Sequence, residues 1–255
     1  MKNYKLHFIV LCLVIISEYI GIVKFNLGKG VVALFPMLYA MIFGILTSPR
    51  FLKITKEKDL DDAGSFVGVT LLLLMAKYGT LIGPAFPKIV SASPALILQE
   101  LGNLGTILIG VPLALFLGLK REAIGAAHSI AREPNVALIG DKYGLNTPEG
   151  EGVLGVYLIG TVFGTIFVGI MASFLAVYTP LHPYALAMAS GVGSASMMTA
   201  SVGALSTLYP NMADTIAAFG VSSNLLSGLD GIYMSLWIAL PLTEFMYKKL
   251  NKAVK

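Results

Sequence analysis

Charge is what this chain has least of. Lysine and arginine number 18 and aspartate and glutamate 14 in 255 residues, or 13%, while 56% of the residues are hydrophobic. An average soluble domain is about 25% charged. So little ionic surface cannot cover so apolar a chain in water, which excludes a soluble domain and, equally, a disordered one. Cysteine is nearly absent: Cys12 alone, inside an apolar run, excludes an intrachain disulfide and reads as a small buried hydrophobe. His7, His128 and His182 stand too far apart for a metal-ligand spacing. No phosphate-binding loop occurs, Gly191-Val192-Gly193 lacks the rest of a dinucleotide fingerprint, and Ser194 is not in a Gly-x-Ser-x-Gly elbow. An enzyme and a bound cofactor are therefore not expected. The net charge is +4, but the basic residues fall between apolar blocks, which fits membrane loops and argues against nucleic acid as a partner.

What is present is a series of apolar blocks, each near the roughly 20 residues that a helix needs to cross a bilayer. They cover residues 6–23, 31–47, 63–82, 94–118, 122–140, 151–177, 183–209 and 213–247. The expected fold is an all-α polytopic membrane protein of about eight crossings, one transmembrane domain over residues 1–255 in contact with the lipid bilayer. A signal-peptide reading of the first block fails, because Glu18 interrupts it and no small-residue cleavage site follows. The charged linker 48–62, the Lys120-Arg121 turn and the tail 248–255 are the most basic loops. The positive-inside rule places them, and both termini, in the cytoplasm.

Several blocks look broken. Residues 83–94 hold Pro84, Pro87 and Pro94, the segment Arg132-Glu133-Pro134-Asn135 interrupts 122–140, and 222–230 interrupts the last block. Residues 190–201 combine Gly191 and Gly193 with five hydroxyls, among them Ser190, Ser194, Ser196 and Thr199. Irregular backbone at membrane depth survives only inside protein or beside a wet cavity. Unwinding at Gly191 and Gly193 would offer amides and hydroxyls to an anion, as interrupted transporter helices do. Close helix packing and back-bonding to helix carbonyls are the bland alternatives. For Gly160 and Gly164 the packing reading is preferred, and this pair allows a homodimer contact without demanding one.

Ionisable residues within the blocks add to the picture, since each is costly in hydrocarbon. Arg132 either pairs with Glu133 or attracts an anionic substrate through its planar guanidinium. Glu100 and Asn103, one turn apart, share a helix face. Asp230, in Ser227-Gly228-Leu229-Asp230-Gly231, sits either inside the membrane, where it would bind H+ or Na+, or in a short hydrated turn.

Two resemblances follow from these motifs. His182-Pro183-Tyr184-Ala185, with Gly191, Ser194, Thr199 and Ala200 after it, and Gly228-Leu229-Asp230-Gly231 resemble the LrgB/CidB membrane family, described as holin-like regulators of murein hydrolase activity. The stretch from Arg121 to Asn135, with Ser129-Ile130-Ala131-Arg132-Glu133-Pro134 inside it, is similar to a bacterial membrane family labelled domain of unknown function 3100, over most of the chain. Ala195 stands where the LrgB-type pattern has histidine, and Asp230 where it has asparagine. Both groups resemble the cation–proton antiporter/anion transporter superfamily. That resemblance implies two inverted repeats with crossing broken helices, a bacterial inner-membrane location and, for LrgB-type members, small carboxylates as substrates.

The expected function is a secondary transporter of a small organic anion, driven by H+ or Na+. Ser129, Arg132, Asn135, Ser190, Gly191, Gly193, Ser194, Ser196 and Thr199 would hold the substrate, and Asp230, Glu100 and Asn103 would couple the ion. The alternative is a holin-like or regulatory membrane protein that acts by oligomerisation.

Overall fold

The computed structural model describes residues 3–27, 30–34, 36–128 and 130–251. Apart from one β-hairpin these residues are helical wherever they are regular. Helix α1 (Tyr4–Ile20) starts at Asn3, whose side chain accepts the Leu6 amide, and ends at Gly21 with φ of 70°. The same Asn3 donates to Asp59 at 2.7 Å and to Asp62 at 2.8 Å, tying the start of α1 to the next charged segment. The block 31–47 is not one helix, contrary to the expectation. Strands β1 (Val23–Leu27) and β2 (Gly30–Leu34) pair antiparallel, from Val23 opposite Leu34 to Leu27 opposite Gly30. Only from Pro36 does α2 (Pro36–Leu46) run. β-Branched Val23, Val31 and Val32 favour the extended backbone.

Helix α3 (Glu57–Ser91) starts within the charged linker 48–62 and overturns the break expected at 83–94, since it continues through Pro84 and Pro87. Proline only deprives one earlier carbonyl of its donor, and apolar neighbours hold the helix across the defect. The break comes at Ala92, before Pro94 enters the first turn of α4 (Ser93–Phe116). The sequence from α5 (Glu122–Ala127) to α6 (Arg132–Lys142) is interrupted, but at residues 128–131; the segment expected to be irregular is the first turn of α6, where Pro134 is tolerated.

α7 (Pro148–Ile159), a π-helical turn (Gly160–Gly164) and α8 (Thr165–Tyr178) form one continuous rod. α9 (Pro183–Gly191) and α10 (Ala195–Leu208) are the second interrupted pair. α11 (Ala213–Met234), a second π turn (Ser235–Ala239) and α12 (Leu240–Asn251) end the described chain, with no interruption at 222–230.

Among the described residues two helices are long and apolar enough to cross a membrane, Ser93–Phe116 and Pro210–Asn251. Large apolar side chains stand out along the outside of the molecule: Tyr19, Ile109, Phe116, Leu158, Phe163 and Trp237 are all more than half exposed. Such a surface belongs in lipid. Inside, one apolar core gathers α9, α10 and α11 around Leu186, Met198, Leu205, Ile216 and Phe219. A second gathers α4, α5, α6 and α12 around Ile107, Val111, Ile124, Ile139 and Leu240. Each core thus encloses one interrupted pair.

The tightest contact joins α5 to α7. A Cβ on Gly125 would lie 1.8 Å from the Glu149 carbonyl oxygen, and one on Gly152 would lie 2.1 Å from that of Glu122. Backbone meets backbone here, so no side chain can yield. Gly125→Ala should cost at least the 1–3 kcal/mol typical of overpacking. Gly228→Ala, where a Cβ meets nothing within 4 Å, should be neutral or slightly stabilising. Thermal unfolding of both variants in detergent measures the contrast, and equal melting temperatures would refute the close approach.

The Asp59 carboxylate accepts from Asn3 and from the Lys56 amide at 2.9 Å, with Lys5 3.6 Å away. These donors hold its carboxyl below the usual aspartate value of 3.8, the Asn3 bond contributing most. A lowered folded-state value means that the contribution is full above pH 3.8 and is lost as pH falls through the folded value. Hydrogen exchange in the first turn of α1 should therefore accelerate on acidification below that point, and in Asp59→Asn this acid dependence should disappear.

Candidate functional site

The two interrupted pairs meet at their breaks. Gly193 adopts φ of 78°, the left-handed region that glycine enters freely, and a Cβ there would be 2.5 Å from the Ile130 carbonyl oxygen. The Arg132 amide donates across the junction to the Gly193 carbonyl at 3.4 Å. Ser194 then caps α10, its hydroxyl accepting the Met197 amide at 3.5 Å, while Arg132 opens α6. The positive ends of two helices therefore lie together beside a guanidinium.

The Arg132 side chain is held on three sides. Its Nη1 donates to the Ser194 hydroxyl at 3.1 Å, and its Nη2 donates to the Tyr157 carbonyl and the Thr161 hydroxyl. The guanidinium also lies over the Tyr157 ring, 4.9 Å from its centroid. Hydrogen bonds of a charged donor contribute about 1.5–3 kcal/mol each, enough to fix the side chain in one place. Arg132, Gly193, Ser194, Asn103 and Thr106 line a cavity of about 460 Å³ whose other walls are apolar, among them Leu113, Ala114, Ile130 and Met197. That size suits a small organic molecule.

Asn103 connects this cavity to a second polar cluster. Its Nδ2 donates to Glu100 Oε2 at 2.7 Å, and Ser227 donates to Glu100 Oε1 at 2.7 Å. Gln99 Nε2 donates to the same oxygen at 3.4 Å and to the Ser223 hydroxyl at 2.6 Å. Asp230 neighbours Glu100 closely enough for side-chain hydrogen bonding and direct charge interaction. One oxygen of Asp230 and the side-chain carbonyl oxygen of Gln99 are buried with no partner in the structure. Two carboxyl groups at this range, in an apolar setting, need a proton or a cation between them. Among the described residues no three histidine, cysteine, aspartate or glutamate side chains gather as a metal site.

The residues expected to bind substrate separate accordingly. Arg132, Gly193 and Ser194 line the cavity. Ser196 stands behind, 3.2 Å from the Ser194 hydroxyl. Asn135 is fully buried and accepts from Ser235 at 2.6 Å, so it joins α6 to the second π turn. Ser190 bonds back to the Ala187 carbonyl at 2.8 Å and Thr199 to that of Ala195 at 2.8 Å, so both serve their own helices. Gly191 remains helical, where a Cβ would be 2.3 Å from the Gly220 carbonyl oxygen. It is a packing residue, and the unwinding expected there is confined to 192–194. Ser129 lies outside the described residues.

Asp230 is within continuous α11, which removes the turn reading. Gly160 and Gly164 face Met197, whose terminal methyl would be 2.2 Å from a Cβ on Gly164. The two glycines therefore pack against this chain's own Met197, in line with the packing reading.

Tyr157, Thr161, Gln99, Ser223 and Ser227 are additions. Their spacing carried the signal: Tyr157 and Thr161 are four residues apart, as are Ser223 and Ser227, and Asp230 follows three later. Read as helix, 223–230 puts all three on one face. Read as a break, it hides them.

No curated protein and no solved structure matches the chain. Residues 15–249, nearly the whole length that holds both clusters, match the family described as protein of unknown function (DUF3100). By that match the chain belongs to the DUF3100 family.

Proposed function

We propose that this protein is a secondary transporter of a small organic anion, coupled to H+ or Na+, in the bacterial inner membrane. The supporting observation is Asn103, which lines the Arg132 cavity and donates directly to Glu100, the neighbour of Asp230. A fixed cation among helix N-termini receives the anion, and a carboxyl pair one residue away takes the driving ion. Emptying or filling either cluster changes the field felt by the other through Asn103. In this reading the chain crosses the membrane about eight times with both termini in the cytoplasm. The two interrupted pairs would be the centres of two inverted repeats, as the resemblance to LrgB-type proteins and the antiporter superfamily implies.

The test is gradient-driven uptake of radiolabelled carboxylates into proteoliposomes. Saturable uptake that collapses when the H+ and Na+ gradients are dissipated is expected. Unsaturable leakage of unrelated solutes would instead favour a holin-like pore.

A further inference from the structure

Resting on the carrier reading, we infer that the substrate is a monocarboxylate with an extended apolar body, rather than a short hydroxy acid or a dicarboxylate, its carboxylate at Arg132 and Ser194 and its chain along Val156. Of the residues that line the cavity, only Asn103, Thr106, Arg132 and Ser194 carry polar side chains, and much of the remaining wall is aliphatic, with Leu113, Ala114, Leu117 and Leu119 in it. The cavity does not stop there. Val156, Ala126, Leu119 and Gly160 also line a second space of about 470 Å³, which continues past Gly155 and Ile159. The two spaces share those four residues, and their combined volume and apolar lining exceed what a two- or three-carbon acid fills, whose hydroxyl would find few partners.

The far end carries the opposite charge to the near end. Glu122 and Glu151 line the second space. Glu122 also accepts the Lys120 amide at 2.8 Å. Two carboxylates at the distal end repel a second carboxylate on the ligand, so the channel discriminates by charge as well as by polarity.

Calorimetric titration of the purified protein with acetate, butanoate, hexanoate, adipate and hexanamide tests this. Each methylene that enters an apolar site tightens binding about fourfold. Hexanoate should bind at least tenfold more tightly than butanoate, and adipate and hexanamide should both bind at least tenfold less tightly than hexanoate. In Val156→Phe, which fills the junction of the two spaces, the gain with chain length should vanish while acetate binding persists.

Affinity that is flat or falls from acetate to hexanoate, or adipate equal to hexanoate, overturns the inference and leaves the carrier reading intact. A chain-length gain undiminished in a folded Val156→Phe assigns it to the micelle and likewise overturns the inference. Failure of every acid to bind removes both. Should Val156→Phe not fold, the wild-type comparison of hexanoate with adipate and hexanamide decides alone.

Discussion

Arg132→Lys should reduce the apparent affinity for carboxylate by about 30-fold to several thousandfold, the range expected when one partner of a buried, hydrogen-bonded charge pair is lost at about 2–5 kcal/mol. Lysine keeps the positive charge, so a loss of this size would come from geometry. The guanidinium engages Ser194, the Tyr157 carbonyl and Thr161 at once, from two nitrogens in one plane. An ammonium at the end of a flexible stem cannot reproduce that fork. The same bonds join α6 to α7, the π turn and α10, so thermal stability should also fall. The measurement that separates the two effects is KM for uptake, corrected for the folded fraction. A role confined to holding helices together would lower the melting temperature and leave KM unchanged, which would remove Arg132 from substrate binding.

The second large effect concerns coupling. Asp230→Asn should abolish accumulation against a gradient, by tenfold or more, while substrate exchange between the two sides of the vesicle persists. Two unit charges about 4 Å apart repel by roughly 4 kcal/mol at an effective dielectric constant of 20. The Glu100–Asp230 pair therefore favours holding one proton or one cation. Asparagine keeps the shape of the side chain and removes one charge, so the remaining Glu100 stays satisfied by Asn103 and Ser227 without an ion. Glu100→Gln should give the same uncoupled phenotype, with a further loss of stability because it sits at the centre of the hydrogen bonds. Accumulation driven as well in Asp230→Asn as in the parent would exclude the pair from coupling.

Much of this site could be read from residue order, because irregular backbone in an apolar chain has few reasons to exist. Glycine and hydroxyl residues between 190 and 201, and Arg132 beside Pro134, located both interruptions to within a few residues. The errors have physical causes. Pro84 and Pro87 read as a break, yet α3 passes through them, because a missing donor is tolerated where apolar packing holds the rod together. Residues 222–230 read as an interruption, yet low helix propensity is overridden when a helix is packed along its length. Ser190 and Thr199 bond back to carbonyls of their own helices, which composition does not reveal. Hydroxyls that bond to their own helix look the same in a sequence as hydroxyls that face a cavity. The pairing of Glu100 with Asp230 joins residues 130 positions apart, and no local spacing encodes it.

The glycine seam between α5 and α7 limits how this molecule can move. With Gly125 against Glu149 and Gly152 against Glu122, main chain touching main chain, the two helices cannot slide or rotate past each other and must travel as a single rigid plank. Flexure is left to the places where helical hydrogen bonding is interrupted, and one of them, 192–194, is also part of the cavity wall, so a hinge of the proposed transport cycle would itself touch the substrate.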